Sequence, residues 1–145
     1  MKRSQGLTLI ELLVVTAVLA TITAMAIPSI RNARMAANEG SAITTLRKIN
    51  LANQSYKVRY RTFTPDLNAL YTANIIDDTL ASLGSGGIKS GYQFTYNGTV
   101  DTWNLSASPE TVGNTGNRHF FIDESGVIRH AEGGPANGSS SPIGG

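Results

Sequence analysis

From Leu7 to Ile30 the sequence is one apolar run with a single charged residue, Glu11. As a helix rising about 1.5 Å per residue it reaches roughly 36 Å, beyond a hydrocarbon core of about 30 Å. A cleaved secretory signal has a shorter apolar region, about 7–15 residues, closed by a small-residue cleavage site. Ala24 and Ala26 imitate such a site, but the run outlasts that pattern. A plain signal anchor is the other simple interpretation. Flanking charge orients the run only weakly, with Lys2 and Arg3 before it and Arg31 and Arg34 after it. Past Arg31 the chain turns polar, and from Gly84 it is rich in Gly, Ser, Thr and Asn. The mean hydropathy of −0.08 is therefore an average over a membrane segment and a soluble domain.

Glu11 is out of place in such a run. An ionised carboxylate at a bilayer is expensive unless paired or held near the interface, and the run contains no cation. Scission between Gly6 and Leu7 would create an α-amine one helical turn before Glu11, on the same face. It would also put the carboxylate in the first turn, where the helix dipole favours negative charge. The amine of this chain or of a neighbour could then neutralise it. A carboxylate kept in an apolar helix is a mark of assembly chemistry.

Lys2-Arg3-Ser4-Gln5-Gly6 followed by Leu7-Thr8-Leu9-Ile10-Glu11-Leu12-Leu13-Val14-Val15 resembles the class III prepilin signal of type IV pilins and type II secretion pseudopilins. The resemblance covers Lys2–Pro28. It implies that Gly6 precedes the prepilin peptidase cut and that Leu7 becomes an N-methylated N-terminus. It implies that Glu11 neutralises the N-terminal amine of a neighbouring subunit, and that Pro28 bends the helix. Proline removes one helical hydrogen bond and crowds the preceding turn, so a kink is expected there on steric grounds too. The family usually has Phe where this chain has Leu7. Many members have Gly eight residues before the proline, where this chain has Ala20. Cleavage would remove Lys2 and Arg3 and leave as many basic as acidic residues, ten of each. That suits subunits packed in large numbers.

Beyond Pro28, Ala42, Leu46, Ile49, Tyr56 and Tyr60 recur at three- and four-residue spacing, with Ile43 and Ala52 alongside. Asn53 interrupts the stripe, and Arg47, Lys48, Lys57 and Arg59 take the opposite side. One nearly continuous helix is expected from Leu7 to Arg61, bent where Gly40 weakens it, with Tyr56 and Tyr60 packed on a sheet. Thr64 as cap and Pro65 at the first position predict a short helix over Pro65–Tyr71. Asp77 or Asp78 starts another around Thr79–Leu83, and Gly84-Ser85-Gly86-Gly87 reads as a flexible loop. Alternation predicts strands at Gly91–Tyr96, Trp103–Ala107, His119–Asp123 and Val127–His130. The expected fold is α+β: a long N-terminal helix, transmembrane then amphipathic, on a small antiparallel sheet of three to four strands. The expected organisation is a cleaved leader over 1–6, a membrane and filament-core helix over 7–30, a head domain over 31–130 and a flexible tail over 131–145.

The absence of Cys excludes thiolate metal sites, Cys nucleophiles and disulfide scaffolds. His119 and His130 lie on neighbouring strands with Asp123, Glu124 and Glu132 close in sequence, and surface histidines are the expected reading. Asp77-Asp78 is too small a set for calcium, which takes about six to eight oxygens. No nucleophile turn supports a Ser-His-Asp triad. No enzymatic activity, cofactor or metal is expected. Asn53, Asn97, Asn104 and Asn137 begin Asn-x-Ser/Thr triplets of the sort chance supplies in so polar a chain. Arg118 is a loop base, but no basic cluster accompanies it, so nucleic acid is not an expected partner. The first aromatic is Tyr56, which speaks against electron conduction along the apolar helix.

The expected function is that of a type IV pilus subunit for adhesion, twitching motility or DNA uptake. It would be held in the inner membrane with a cytoplasmic N-terminus and then polymerised into an extracellular or periplasm-spanning filament. The expected partners are copies of itself, prepilin peptidase, the inner-membrane assembly machinery and, before assembly, membrane lipid. A type II secretion pseudopilin is the alternative, kept open because a C-terminal disulfide is impossible and disfavoured because the tail offers only Glu132 for an acidic calcium loop. A signal-anchored or secreted binding domain is the second alternative.

Overall fold

A computed structural model describes residues 8–144, apart from the side chains of 25–28. The chain divides into two compact units, one ending at Ala33 and the other beginning at Arg34. Helix α1 spans Leu9–Tyr60. It runs through Gly40 and stops where Arg61 takes a left-handed φ of 64°, its N–H closing on the Lys57 carbonyl at 2.8 Å.

Up to Ile30 α1 is apolar apart from Glu11 and scattered hydroxyls, and Leu9, Leu13, Leu19 and Ile22 are each more than half exposed. It is long and apolar enough to cross a membrane. Thr16, Thr21 and Thr23 do not spoil this. Each hydroxyl donates to a carbonyl of its own helix, on Leu13, Val18 and Leu19. Such back-bonding satisfies a hydroxyl without water, as a lipid or helix-packed setting requires.

The second unit is α+β. Six strands form one antiparallel sheet in chain order: β1 (Ser85–Lys89), β2 (Tyr92–Gly98), β3 (Trp103–Pro109), β4 (Arg118–Asp123), β5 (Arg129–Glu132) and β6 (Ser141–Pro142). From α1, Ala42, Leu46, Ile49 and Ala52 are buried against the inner side chains of β2, β3 and β4. Phe94, Ala107 and Phe120 form one inner rung, and Tyr96, Leu105 and Ile122 the next. Ala107 leaves room between two rings, an alternation of large and small that lets the layers interdigitate. Phe63, Leu67, Leu70, Leu80 and Leu83 extend this core. Asn53, which breaks the apolar stripe, is fully buried. The Tyr96 hydroxyl reaches both its Oδ1 at 3.0 Å and the Thr64 carbonyl at 2.9 Å.

The sheet has two more strands than the upper expectation. β1 takes up most of the glycine-rich stretch expected as a loop, and β6 lies in the stretch expected as a flexible tail. Backbone pairing needs no apolar pattern, so neither was marked by alternation. Ala136 is buried, Ile143 packs on the core, and the Ile143 N–H donates to the Ile128 carbonyl at 2.9 Å. The first short helix, α2, is Leu67–Thr72 and its cap is Asp66, whose Oδ1 accepts from the Ala69 N–H. Thr64, expected as the cap, instead donates its hydroxyl to the Asp66 carbonyl. The second, α3 (Asp78–Ala81), is capped by Asp77 and passes into a 3-10 turn at Ser82–Gly84. Tyr56 is half-buried on the core, but Tyr60 is 44% exposed and meets Tyr56 ring to ring at 4.4 Å.

Candidate assembly segment

The start of α1 is a reciprocal cap. Glu11 Oε2 accepts the Thr8 backbone N–H at 2.8 Å and the Thr8 hydroxyl at 2.9 Å. The Thr8 hydroxyl oxygen in turn accepts the Glu11 N–H at 3.3 Å. This is the capping-box geometry of Thr-x-x-Glu. It satisfies two of the donors that the start of a helix leaves without an intrahelical acceptor. Charge reasoning alone missed it, because it looked for a cation and not for Thr8. The pattern was nevertheless legible three residues before Glu11.

The cap fixes the carboxylate through one oxygen. Glu11 Oε1 has no hydrogen bond among the described residues. Gly6 and Leu7 lie outside the described residues, as does the side chain of Pro28.

A second acidic group, also unforeseen, ties α1 to the sheet. Glu39 is buried beneath the turn that enters β4. Its Oε1 accepts the N–H groups of Asn117 at 3.0 Å and Arg118 at 3.3 Å, and its Oε2 takes the Arg118 guanidinium at 2.7 and 2.8 Å. Burial pushes this carboxyl up, but those four contacts outweigh it and hold it below the ordinary value of 4.5. Tyr92 completes the corner by donating its hydroxyl to the Arg118 carbonyl at 2.9 Å. Gly116 is required beside it, since a Cβ there would collide with the Tyr92 hydroxyl. Arg118 is thus a structural cation of the head and not a loop base presented to solvent.

The remaining candidates do not converge. His119 pairs with Ala131 and His130 with Phe120, which places the two histidines on opposite faces of the sheet. His119 faces Ser108 Oγ at 3.1 Å, and burial alone holds its imidazole below 6.5. Among the described residues no three His, Cys, Asp or Glu side chains are grouped to hold a metal. Asp77 spends its Oδ1 on the Leu80 N–H. An open groove of about 380 Å³ beside α1 is lined by Lys48, Leu51, Ser55, Ile76 and Asp77 among others, with no paired nucleophile and base.

Residues 1–27 match the family model of the prokaryotic N-terminal methylation motif, the class III prepilin signal of type IV pilins and pseudopilins. No curated protein matches the chain. The matched segment contains Thr8 and Glu11 and the greater part of the apolar helix.

Proposed function

We propose that this chain is the structural subunit of a type IV pilus. The observation that carries the reading is a coincidence of three features in one segment. The methylation motif spans residues 1–27, the stretch of α1 up to Ile30 is apolar with Leu9, Leu13, Leu19 and Ile22 exposed, and the one charge in that stretch is a carboxylate capped in its first turn. The subunit waits in the inner membrane with its N-terminus in the cytoplasm. Prepilin peptidase cuts after Gly6, Leu7 is N-methylated, and the mature chain enters a helical filament.

In the membrane the apolar stretch of α1 up to Ile30 contacts lipid tails, and in the filament it contacts the same stretch of other copies. Lipid tails are as apolar as leucine, so the exchange itself gives little hydrophobic drive. Packing and register decide instead. The Glu11 carboxylate supplies register by receiving the Leu7 amine of a neighbour, and Pro28 bends the helix so that successive subunits clear each other. The role is structural and non-enzymatic. The finished filament is extracellular or spans the periplasm, and serves adhesion, twitching motility or DNA uptake.

The test is intact-mass and N-terminal analysis after expression with a prepilin peptidase, with Glu11→Ala beside the parent. The expected result is a mature chain beginning at methylated Leu7 in both, with the variant inserted and cleaved but poorly incorporated into filaments. An uncut chain, or a cut near Ala26, would replace this reading by an anchored or secreted domain. The absence of cysteine keeps a second reading open, a type II secretion pseudopilin, since the C-terminal disulfide of many type IV pilins is impossible here. Loss of protein secretion on deletion with surface pili intact would select it.

A further inference from the structure

The loop between β5 and β6 holds an Asn-Gly pair in a reactive setting. Asn137 and Gly138 are both exposed. The loop is folded back on Asn137. Its N–H donates to Ser140 Oγ at 3.0 Å, its carbonyl accepts the Ser140 N–H at 3.0 Å, and its side-chain Oδ1 accepts the Ser139 N–H at 2.9 Å. That last bond turns the Cγ carbonyl of Asn137 back over the Gly138 peptide. On its open side Gly138 faces a carboxylate, since a Cβ built there would lie 3.8 Å from Asp123 Oδ2. Asp123 commits Oδ1 to the N–H and hydroxyl of Ser125. Its Oδ2 makes no hydrogen bond among the described residues.

We propose that Asn137 is a site of spontaneous covalent modification, converted through a succinimide to aspartate and isoaspartate with Asp123 as proton acceptor. The Gly138 nitrogen attacks Asn137 Cγ and forms the N–Cγ bond. The proton of that nitrogen passes to Asp123 Oδ2, directly or through one water, and on to the departing Nδ2. The Cγ–Nδ2 bond breaks and ammonia leaves. Water then opens the five-membered ring at either carbonyl. No oxidant or enzyme is needed. The Ser139 N–H sits on the oxygen that carries negative charge in the tetrahedral intermediate, and the absent side chain of Gly138 leaves its nitrogen unhindered. The product carries a new negative charge beside Asp123. As isoaspartate it also lengthens the main chain just before Ile143, which seats on the core.

The same molecule contains its own control. Asn97-Gly98 is the same dipeptide, but it lies in the extended ladder of β2, where Asn97 Nδ2 donates to Asn104 Oδ1 at 3.2 Å. Gly98 is wedged so closely that a Cβ would strike the Thr64 carbonyl oxygen. Neither the backbone nor the side chain is free to close a ring there.

The experiment incubates the purified full chain in detergent at mildly alkaline pH for several days and follows both sites by peptide mapping with isoaspartate detection. Asn137 is expected to convert at least about tenfold faster than Asn97, the advantage of a preset approach. Asp123→Asn keeps an oxygen for Ser125 but removes the base, and is expected to slow Asn137 by about tenfold or more. Equal rates at the two sites, or an unmodified Asn137, would overturn the proposal. An unchanged rate in Asp123→Asn would overturn the role given to Asp123.

Discussion

Arg118 meets the carboxylate of Glu39 with both its main chain and its side chain, the N–H on Oε1 and the guanidinium on Oε2. A helix residue and the first residue of β4 are thereby locked at one corner of the head. Glu39→Ala strands the Arg118 charge and two N–H groups together. Removing one partner of a well-buried pair costs about 3–5 kcal/mol, and the Arg118 side chain is 34% exposed. The expected loss is therefore smaller, about 1–3 kcal/mol, read from the urea midpoint of the detergent-solubilised chain. A loss confined to a few tenths would mean that solvent already satisfies Arg118.

Acid should lower the stability of the head in two steps. His119 is held below 6.5 by burial, so the folded state resists its protonation. Its contribution is full above the unfolded value and is lost as pH falls below about 6.5. Glu39 is held below 4.5 in the folded state. Its contribution is present above that value and is lost as pH falls further. Melting temperature against pH should therefore decline first near neutrality and again below the ordinary carboxylate range. Glu39→Gln should abolish the lower decline only, and His119→Asn the upper one only.

The inner face of the head was legible because its signals are local and periodic. Leu46 and Ile49 on the helix, and Tyr92, Phe94 and Tyr96 on β2, advertise burial by spacing alone. Glu39 was not legible, since its two partners, Asn117 and Arg118, lie far along the chain and only the fold brings them to it. β1 and β6 were not legible either, because Ser85, Lys89 and Ser141 pair through their backbones and leave no apolar alternation to read. Thr8 is a different failure. The Thr-x-x-Glu pattern stands in the sequence, but a hydroxyl carries no charge, so charge balance alone does not mark it.

Tyr96 is the head's most exacting polar contact. Its hydroxyl is the hydrogen-bond partner of the buried Asn53 Oδ1 and also reaches the Thr64 carbonyl. Tyr96→Phe preserves the ring, which stacks on Trp103 at 6.0 Å between centroids. It leaves two buried acceptors without the hydroxyl. The expected cost is about 1–3 kcal/mol, measured as a shift of the urea midpoint with an unchanged slope. A neutral result would show that water enters beside Asn53.

The Thr8 cap yields a graded prediction for assembly. Thr8→Ser retains a hydroxyl in the same place, so filament yield should stay near that of the parent. Thr8→Val keeps the size and loses the hydroxyl bond to Glu11 Oε2. The carboxylate is then held by the Thr8 N–H alone, and in the proposed filament the amine of the next subunit meets a less defined target. Quantifying sheared filaments against membrane-retained, cleaved subunit should show a several-fold fall for Thr8→Val with cleavage intact. Equal yields for the two variants would separate the cap from assembly and leave it a device of helix initiation.

The last residues belong to the head's structure, and removing them should show it. Truncation after Glu132 deletes β6, the buried Ala136 and Ile143. It also frees the Ile128 carbonyl and removes the Ser140 carbonyl that accepts Arg129 NH1 at 3.1 Å. Fully burying a side chain of the size of Ile143 is worth about 1.5–3 kcal/mol, and Ile143 is only partly buried. The lost ladder bonds add to that. A loss of about 2–3 kcal/mol is expected, seen as a lower melting temperature and faster proteolysis around β5. A solvated tail would give no change in either, because chain that makes no contacts removes none when it is cut.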